Sequence, residues 1–283
     1  MTYPTKFDYY SATVFGNPPE WIVQHFLERF PQTSQSFCIP KKPYERAYKI
    51  ARDDQTYCVI SYGGINEGVH VESKSNAHIT APVIKQWSHQ VSRVDSCIDV
   101  IEPFFYEWVT DEFKTIAKQN NLALEFQGDW ERSKARTLYV GSTKSVFRIC
   151  IYEKGQKEKL DPNWVRIETR FRPQKKQLKQ AASTLDSEQV FRLPKWIKPV
   201  CKKIGMNYEE FVLPSVWQPS DKVQASYHMV LQYKRILENL NEDTGGWEQV
   251  GDLFEQAIES IDNGDIPSKT MQIISDKIRL EVV

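Results

Sequence analysis

No apolar run in the 283 residues approaches the roughly 18–20 needed to cross a bilayer. The opening Met-Thr-Tyr-Pro-Thr-Lys-Phe lacks the charged-then-apolar pattern of a secretory leader. Cysteine is sparse: Cys38, Cys58, Cys97, Cys150 and Cys201 are odd in number, scattered, and never form a Cys-x-x-Cys pair. That argues for reduced thiols in a bacterial cytoplasm and against a zinc site. There is no Walker-type loop, so P-loop nucleotide hydrolysis is excluded, and Gly63-Gly64 reads as a turn. No serine, histidine and aspartate stand in the local context of a hydrolase triad. Net charge is also absent, with 37 basic and 37 acidic residues.

The balance of charge hides an uneven distribution. Residues 131–180 hold 14 lysines and arginines against 5 acidic residues, whereas 236–283 hold 3 against 11. The middle of the chain can meet a polyanion; the tail cannot. Within that basic middle, three short segments alternate with period two, the mark of a half-buried strand. They are Arg136–Val140, Phe147–Tyr152 and Val165–Phe171. Arg148, Cys150 and Tyr152 share one face of the second, and Arg166, Glu168 and Arg170 share one face of the third. A tyrosine and a carboxylate among guanidinium groups suit phosphodiester chemistry. Tyr152 and Tyr139 are the candidate nucleophiles; each phenol is weak at its ordinary pKa of about 10 and needs activation. Thr143-Lys144-Ser145, in the loop between two of the strands, and Lys154 are placed to grip phosphate.

A second constellation is Ser92-Arg93-Val94-Asp95-Ser96-Cys97-Ile98-Asp99, whose alternation puts Arg93, Asp95, Cys97 and Asp99 together. Two carboxylates on a central strand call for a cation or basic partners. Asp95 and Asp99 are separated by roughly 13 Å along an extended strand, so one is expected to bind a metal and the other an arginine or the outer sphere. Glu72 and His70, side by side on an earlier strand, are possible further ligands, though a lone histidine is more often structural.

Strands near 9–15, 47–52, 56–62, 69–72 and 92–101 and helices near 20–30, 81–90 and from Pro103 give an α+β reading. In it an antiparallel sheet carries helices on one face, and two ferredoxin-like halves are one form this could take. Trp21, Phe26 and Leu27 are read as the apolar side of the first helix, and Phe104, Phe105, Trp108, Phe113 and Ile116 as that of the helix from Pro103. After Pro173 the pattern is helical, with candidates at Lys175–Leu185, Tyr208–Phe211, Lys222–Leu240, Trp247–Ile261 and Ser268–Ile278. The boundary is expected near 190: 1–190 catalytic, 191–283 a helical C-terminal region.

At these residues the chain resembles the replication initiation factor family, rolling-circle initiators of plasmids and filamentous phages with relaxases of integrative elements as relatives. The resemblance lies in Ser92-Arg93-Val94-Asp95 with Asp99, then Thr137-Leu138-Tyr139-Val140-Gly141-Ser142 with Arg148 and Ile151-Tyr152-Glu153-Lys154, then Trp164-Val165-Arg166-Ile167-Glu168. The earlier Tyr44-Glu45-Arg46-Ala47 and Ser61-Tyr62-Gly63-Gly64 resemble phage-type members. The resemblance implies a metal-dependent nickase of nickase-like fold that joins the 5′ end of DNA through Tyr152, with an acidic metal site at Asp95, Glu168 and, as a further candidate, Asp99; Mg²⁺ or Mn²⁺ is the expected ion, with Glu72 or His70 as possible help. Arg93, Arg136, Lys144, Arg148, Lys154 and Arg166 are the expected DNA contacts, along one groove. Expected partners are origin DNA with a locally single-stranded nick site, host helicase and replication proteins, and a second copy of the chain. A conjugative relaxase and a non-catalytic DNA-binding protein of the same fold are the alternative readings. Arg148 stands four residues before Tyr152, where family members often carry an arginine two before; Cys150 fills that place here.

Overall fold

The computed structural model describes residues 3–206, 208–209, 213 and 221–263. The chain divides into two compact units, Met1–Val216 and Trp217–Val283. The division therefore falls beyond the expected boundary near 190.

In the first unit β1 (Lys6–Val14) leads to α1 (Pro19–Arg29) and then to β2 (Ser34–Phe37), β3 (Arg46–Arg52), β4 (Gln55–Tyr62), β5 (Val69–Ser73) and α2 (Ala77–Ile84). The sequence then repeats that order. β6 (His89–Ile101) leads to α3 (Phe105–Gln119), and then come β7 (Leu124–Asp129), β8 (Lys134–Val140), β9 (Phe147–Glu153), the short α4 (Lys154–Glu158), β10 (Trp164–Phe171) and α5 (Lys176–Thr184). α6 (Ser187–Arg192) and α7 (Lys198–Lys203) follow. All ten strands form one sheet of order β2-β3-β4-β5-β1-β6-β10-β9-β8-β7, and every pairing is antiparallel.

The strand order has an internal symmetry. Each half runs strand, crossover helix, four strands, helix, and each places its first strand at the centre and its second at the edge. The halves meet where β1 pairs with β6, with Tyr9 opposite Asp95 and Ser11 opposite Arg93. The two-half expectation holds in this form, but a five-stranded unit with one crossover is not the ferredoxin-like β-α-β-β-α-β order.

Local sequence accounts for the helices. Pro19 occupies the first turn of α1, where its missing N–H costs nothing. Asp186 and Gln189 form a capping box at α6: Gln189 N–H donates to Asp186 at 2.7 Å, and Asp186 N–H donates to Gln189 Oε1 at 2.9 Å. The buried stripe of α1 is Ile22, Val23 and Phe26. Trp21 instead stays 44% exposed and stacks on His25. In α3 the stripe is Phe105, Val109, Phe113 and Ile116, while Phe104 precedes the helix in a left-handed conformation, exposed. α2 begins earlier than expected, because β6 starts at His89 and takes the end of the expected helix into the sheet.

Helices α1, α2, α3, α5, α6 and α7 all pack on one face, over two clusters. One joins Tyr10, Ala12, Ile60, Val71 and Val94 to α1 and α2. The other joins Ile98, Ile149, Ile151 and Ile167 to α3 and to Phe191, Ile197 and Val200. Those last residues explain why the first unit extends past 190: α6 and α7 are part of its core.

Arg136 belongs to the helix side as well. It sits opposite Glu153, one residue out of step with the Thr137–Tyr152 pair. Its Nη2 donates to Glu153 Oε1 at 2.7 Å and to Glu107 Oε1 at 2.8 Å, and its guanidinium lies 4.4 Å from the Tyr106 ring centroid. The alternation of β8 thus turns it away from the face that holds Tyr139 and Tyr152.

In the second unit α8 (Asp221–Asp243) and α9 (Trp247–Asp262) are joined by Thr244-Gly245-Gly246, and Val250, Leu253 and Ala257 are buried. The expected helix at Ser268–Ile278 lies outside the described residues, as does half of that at Tyr208–Phe211. Among the described residues no helix is long and apolar enough to cross a membrane.

Arg136→Ala should destabilise the first unit by about 3 kcal/mol, since it strands the buried Glu153 carboxylate. The denaturant midpoint should fall accordingly; an unchanged midpoint would show that the pair contributes nothing.

Candidate active site on the polar face of the sheet

The face opposite the helices is a grid of polar side chains set by strand register. One row runs Tyr9, Asp95, Arg170, Arg148 across β1, β6, β10 and β9. The next runs Cys97, Glu168, Cys150, Tyr139, Glu125, and the third Asp99, Arg166, Tyr152, Thr137. Neighbouring strands stand about 4.8 Å apart, so Glu168 lies diagonal to Tyr152, and Asp95 faces Arg170 directly.

Although these residues are charged, most are buried: Asp95 is 2% exposed, Glu168 3% and Arg166 5%. They are covered by one another. Arg93 Nε donates to Asp95 Oδ1 at 2.9 Å, and its guanidinium lies over the Tyr9 ring at 4.2 Å. Arg170 donates to Glu168 Oε2 through Nη2 at 2.9 Å and reaches toward Asp95 at 3.8 Å. Burial pushes the Asp95 carboxyl up to about 6, against the pull of Arg93.

Asp99 has the opposite setting. It accepts from Arg166 at 2.7 and 2.8 Å and from Trp164 Nε1 at 2.8 Å, and it pairs with Lys6 at 2.8 Å. Although burial works against ionisation, these donors hold its carboxyl down at about 2. Of the two aspartates, Asp99 is the arginine partner. Arg166 also donates to Asp8 at 2.5 Å. With three of its five N–H groups spent on Asp8 and Asp99 it anchors the sheet face.

The basic groups free to bind a phosphate lie at the other end. Arg148 pairs with Glu125 and sits 4.0 Å from the Tyr139 ring centroid, and its buried Nε has no partner among the described residues. Arg172 Nη1 donates to the Thr143 carbonyl at 3.0 Å, with no carboxylate paired to it among the described residues. Burial and the neighbouring Arg93, Arg170 and Arg148 lower its pKa, as expected where positive charge is crowded. Lys144 is exposed in the adjoining turn. Gly141 makes that turn possible: its φ is +99°, and a Cβ would come 2.9 Å from the Phe147 carbonyl oxygen. Lys154 pairs with Glu158 at 2.5 Å beside Trp164, on the Tyr152 side. The expected DNA contacts thus separate. Lys144 and Arg148 come together with Arg93, Arg166 is committed to carboxylates, Lys154 stands at the far border, and Arg136 lies on the other face.

Both tyrosines are on the polar face. Tyr152 is 8% exposed, and burial and the adjacent Glu168 carboxylate raise its pKa. Tyr139 is less buried, lies under Arg148 and Arg170, and is raised by burial and by Cys150.

Glu72 and His70 do not join this group. Three strand spacings, about 14 Å, separate β5 from β10. Glu72 pairs with Lys41 at 3.5 Å and Lys74 at 3.7 Å. His70 bonds Ser11 Oγ at 3.1 Å and stacks on Tyr44, and burial lowers its pKa to about 4, so it is a neutral structural histidine. Among the described residues no group of three histidine, cysteine or acidic side chains is arranged to hold a metal ion. Asp95 and Glu168 face guanidinium groups.

Four participants lie outside the set of site residues expected from sequence: Arg172, just past the end of β10, and the three that follow. Arg170 shares the alternating face of Arg166 and Glu168 and is legible there. Asp8 lies at a register shift between Phe7 and Tyr9, where alternation fails. Tyr9, on the polar face of β1, carries no signal beyond its residue type.

The replication initiation factor family model matches residues 94–198, which takes in the second half of the sheet and the helices that follow. A solved structure titled as a rolling circle replication initiator protein from Geobacillus stearothermophilus is similar at 14% identity and a TM-score of 0.46, over 77% of this chain and 91% of that one. No curated protein matches.

The Asp99 setting makes a pH prediction. A carboxyl held at about 2 when folded and near 3.9 when unfolded stabilises fully above pH 4. That contribution is lost as pH falls from 4 through 2. Asp99→Asn should therefore cost on the order of 2 kcal/mol at pH 7, and the gap to wild type should close toward pH 2 in urea melts. A gap independent of pH would show that the charge is not what matters.

Proposed function

We propose that the protein nicks one strand of DNA at a replication origin of the rolling-circle type, using Tyr152 as nucleophile. The observation that carries this is the placement of the Tyr152 phenol beside the buried Glu168 on adjacent strands, within the segment that matches the replication initiation factor family. Arg148, Arg172 and Lys144 hold the backbone of the same strand roughly 13 Å or more along the sheet from Tyr152, and Arg172 and Lys144 have no carboxylate of their own among the described residues. Glu168 takes the phenolic proton as the Tyr152 oxygen attacks phosphorus. The P–O bond to the 3′ oxygen breaks, and that oxygen is protonated from solvent to a free 3′-OH. The 5′ phosphate stays on the tyrosine. Arg170, already on Glu168, steadies the carboxylate and keeps it near the phenol. The raised pKa of Tyr152 keeps it a resting phenol until a base and a phosphate are both in place.

Mg²⁺ or Mn²⁺ enters on donor type alone. Glu168, Asp95 and Asp8 offer oxygens suited to a hard cation, and no step is assigned to the ion. Tyr139 supports a second assignment of the nucleophile, because it is the more accessible phenol and lies between two guanidiniums. The same chemistry serves a conjugative relaxase, and the genes neighbouring this one would separate the two.

Tyr152→Phe should abolish the covalent protein–DNA adduct while binding and folding stay near wild type, since losing one hydroxyl costs at most about 1–3 kcal/mol. Tyr139→Phe should only slow it. Peptide mass spectrometry of the oligonucleotide adduct identifies the residue; an adduct on Tyr139 overturns the assignment, and no adduct with cognate origin DNA overturns the function.

Glu168→Gln should lose nicking of supercoiled plasmid carrying the origin and retain origin binding. Titrating Mn²⁺ against wild type should show saturable activity. Full activity in a chelator would remove the cation from the proposal and leave the tyrosine chemistry standing.

A further inference from the structure

The family model covers only the second half of the sheet, yet the first half repeats its connectivity strand for strand. The registers also agree. Setting Glu72 on Glu168 aligns their cross-strand partners: Val59 with Cys150 on one side, Ser11 with Cys97 on the other. One strand further out, Lys49 takes the place of Tyr139. Two residues along, Ser61 takes the place of Tyr152, and His70 that of Arg166. At this equivalent position the first half carries a cavity of about 340 Å³ lined by Lys49, Val59, Ser61, His70, Glu72 and Lys74, with Lys41 at its rim.

The chemistry of that cavity differs from that of its counterpart above all at the place of the nucleophile. Where the second half has the Tyr152 phenol, the first has a 2% exposed serine hydroxyl, so it lacks a nucleophile of that reach. What remains is positive charge. Lys49 has no ion-pair partner among the described residues. Lys41 and Lys74 share Glu72 at 3.5 and 3.7 Å with side chains 70% and 75% exposed, and pairs of that kind are weak and easily exchanged. Three lysines against one glutamate leave the cavity basic. It opens on the same sheet face as Arg93, Arg148 and Arg172.

We propose that this cavity is a second, non-cleaving site for the phosphodiester backbone of the same DNA strand, three to five strand spacings or roughly 14–24 Å from Glu168, and that the first half of the fold is a duplicate kept for holding the strand. The inference rests on the DNA-nicking reading above.

The test is fluorescence anisotropy of the full chain with a mixed-sequence single-stranded oligonucleotide of about 16 nucleotides, across a range of salt. Lys49→Glu with Lys74→Glu should weaken binding about tenfold or more at low salt and reduce the salt slope by about 0.7 for each phosphate no longer neutralised. The neutral pair Lys49→Gln with Lys74→Gln should move both quantities in the same direction by less, which guards against a folding defect in the reversed pair. The control is Lys114→Glu with Lys118→Glu on α3, on the opposite face, which should change neither. Wild-type binding with an unchanged slope in the Lys49 and Lys74 variants overturns this inference alone. An equal loss in the α3 control overturns it too, because only total charge is then being read. If the wild-type chain binds no DNA, the nicking reading fails, and this one with it.

Discussion

Two carboxylates, Asp95 and Glu168, are buried on a sheet face that no described helix of the first unit covers, and only the facing guanidiniums make this possible. Taking such charges out of water costs several kcal/mol per ion unless they are paired and hydrogen-bonded. Arg93 and Arg170 supply the pairing, and Arg170 serves both acids. Asp8, Asp99 and Arg166 repeat the device one row away. Arg93–Asp95 and Arg170–Glu168 pair within one strand, whereas Arg170–Asp95, Arg166–Asp99 and Arg166–Asp8 cross between strands, and these crossing pairs hold in register the strands that hold them. A shift of one residue would turn every member of the grid to the helix side. The face is therefore stable only as a set, and the candidate site is assembled from interactions the fold needs for itself.

The seam between β1 and β6 gives that set its position. These are the first strands of the two halves, and they lie at the centre of the sheet with five strands on either side of the seam. Arg93 and Asp95 come from β6 and Tyr9 from β1, so the seam contributes to the polar face of both halves. The helix faces of the two halves form separate apolar clusters, and the two halves can diverge in side chains while the register across the seam is kept. The first half can therefore carry Ser61 and Lys49 where the second carries Tyr152 and Tyr139 without disturbing it.

Period-two alternation is enough to read β9, β10 and most of β6, and with them Arg148, Tyr152, Arg166, Glu168, Asp95 and Asp99 on one face. What it cannot tell is which of these groups neutralise each other, because that depends on neighbouring strands far apart in sequence. Arg166 looks like a phosphate contact and is instead bound by Asp8 and Asp99. Arg136 is one residue out of phase with Tyr139 and so faces the helices, which alternation within β8 already implies. The edge strands β2 and β7 escape notice because their exposure shows no alternation: all four residues of Ser34–Phe37 are exposed. The boundary near 190 follows a change to helical pattern, but pattern does not say whether a helix packs on the sheet, and Val190, Phe191, Ile197 and Val200 do. Glu72 and His70 show the right residue types on the right face, in the wrong half.

The same network sets the condition for chemistry. In the resting protein the guanidiniums of Arg93 and Arg170 are spent on Asp95 and Glu168, and the phenol of Tyr152 is held neutral by burial and by Glu168. A phosphate entering near Arg148 and Arg172 adds negative charge where positive charge is crowded, so the cluster gains a partner without first breaking one. Glu168 then lies between two demands, the guanidinium of Arg170 and the proton of Tyr152. Arg170, which touches both buried acids and overlies Tyr139, is thus the group through which binding of a strand is felt by the nucleophile's base.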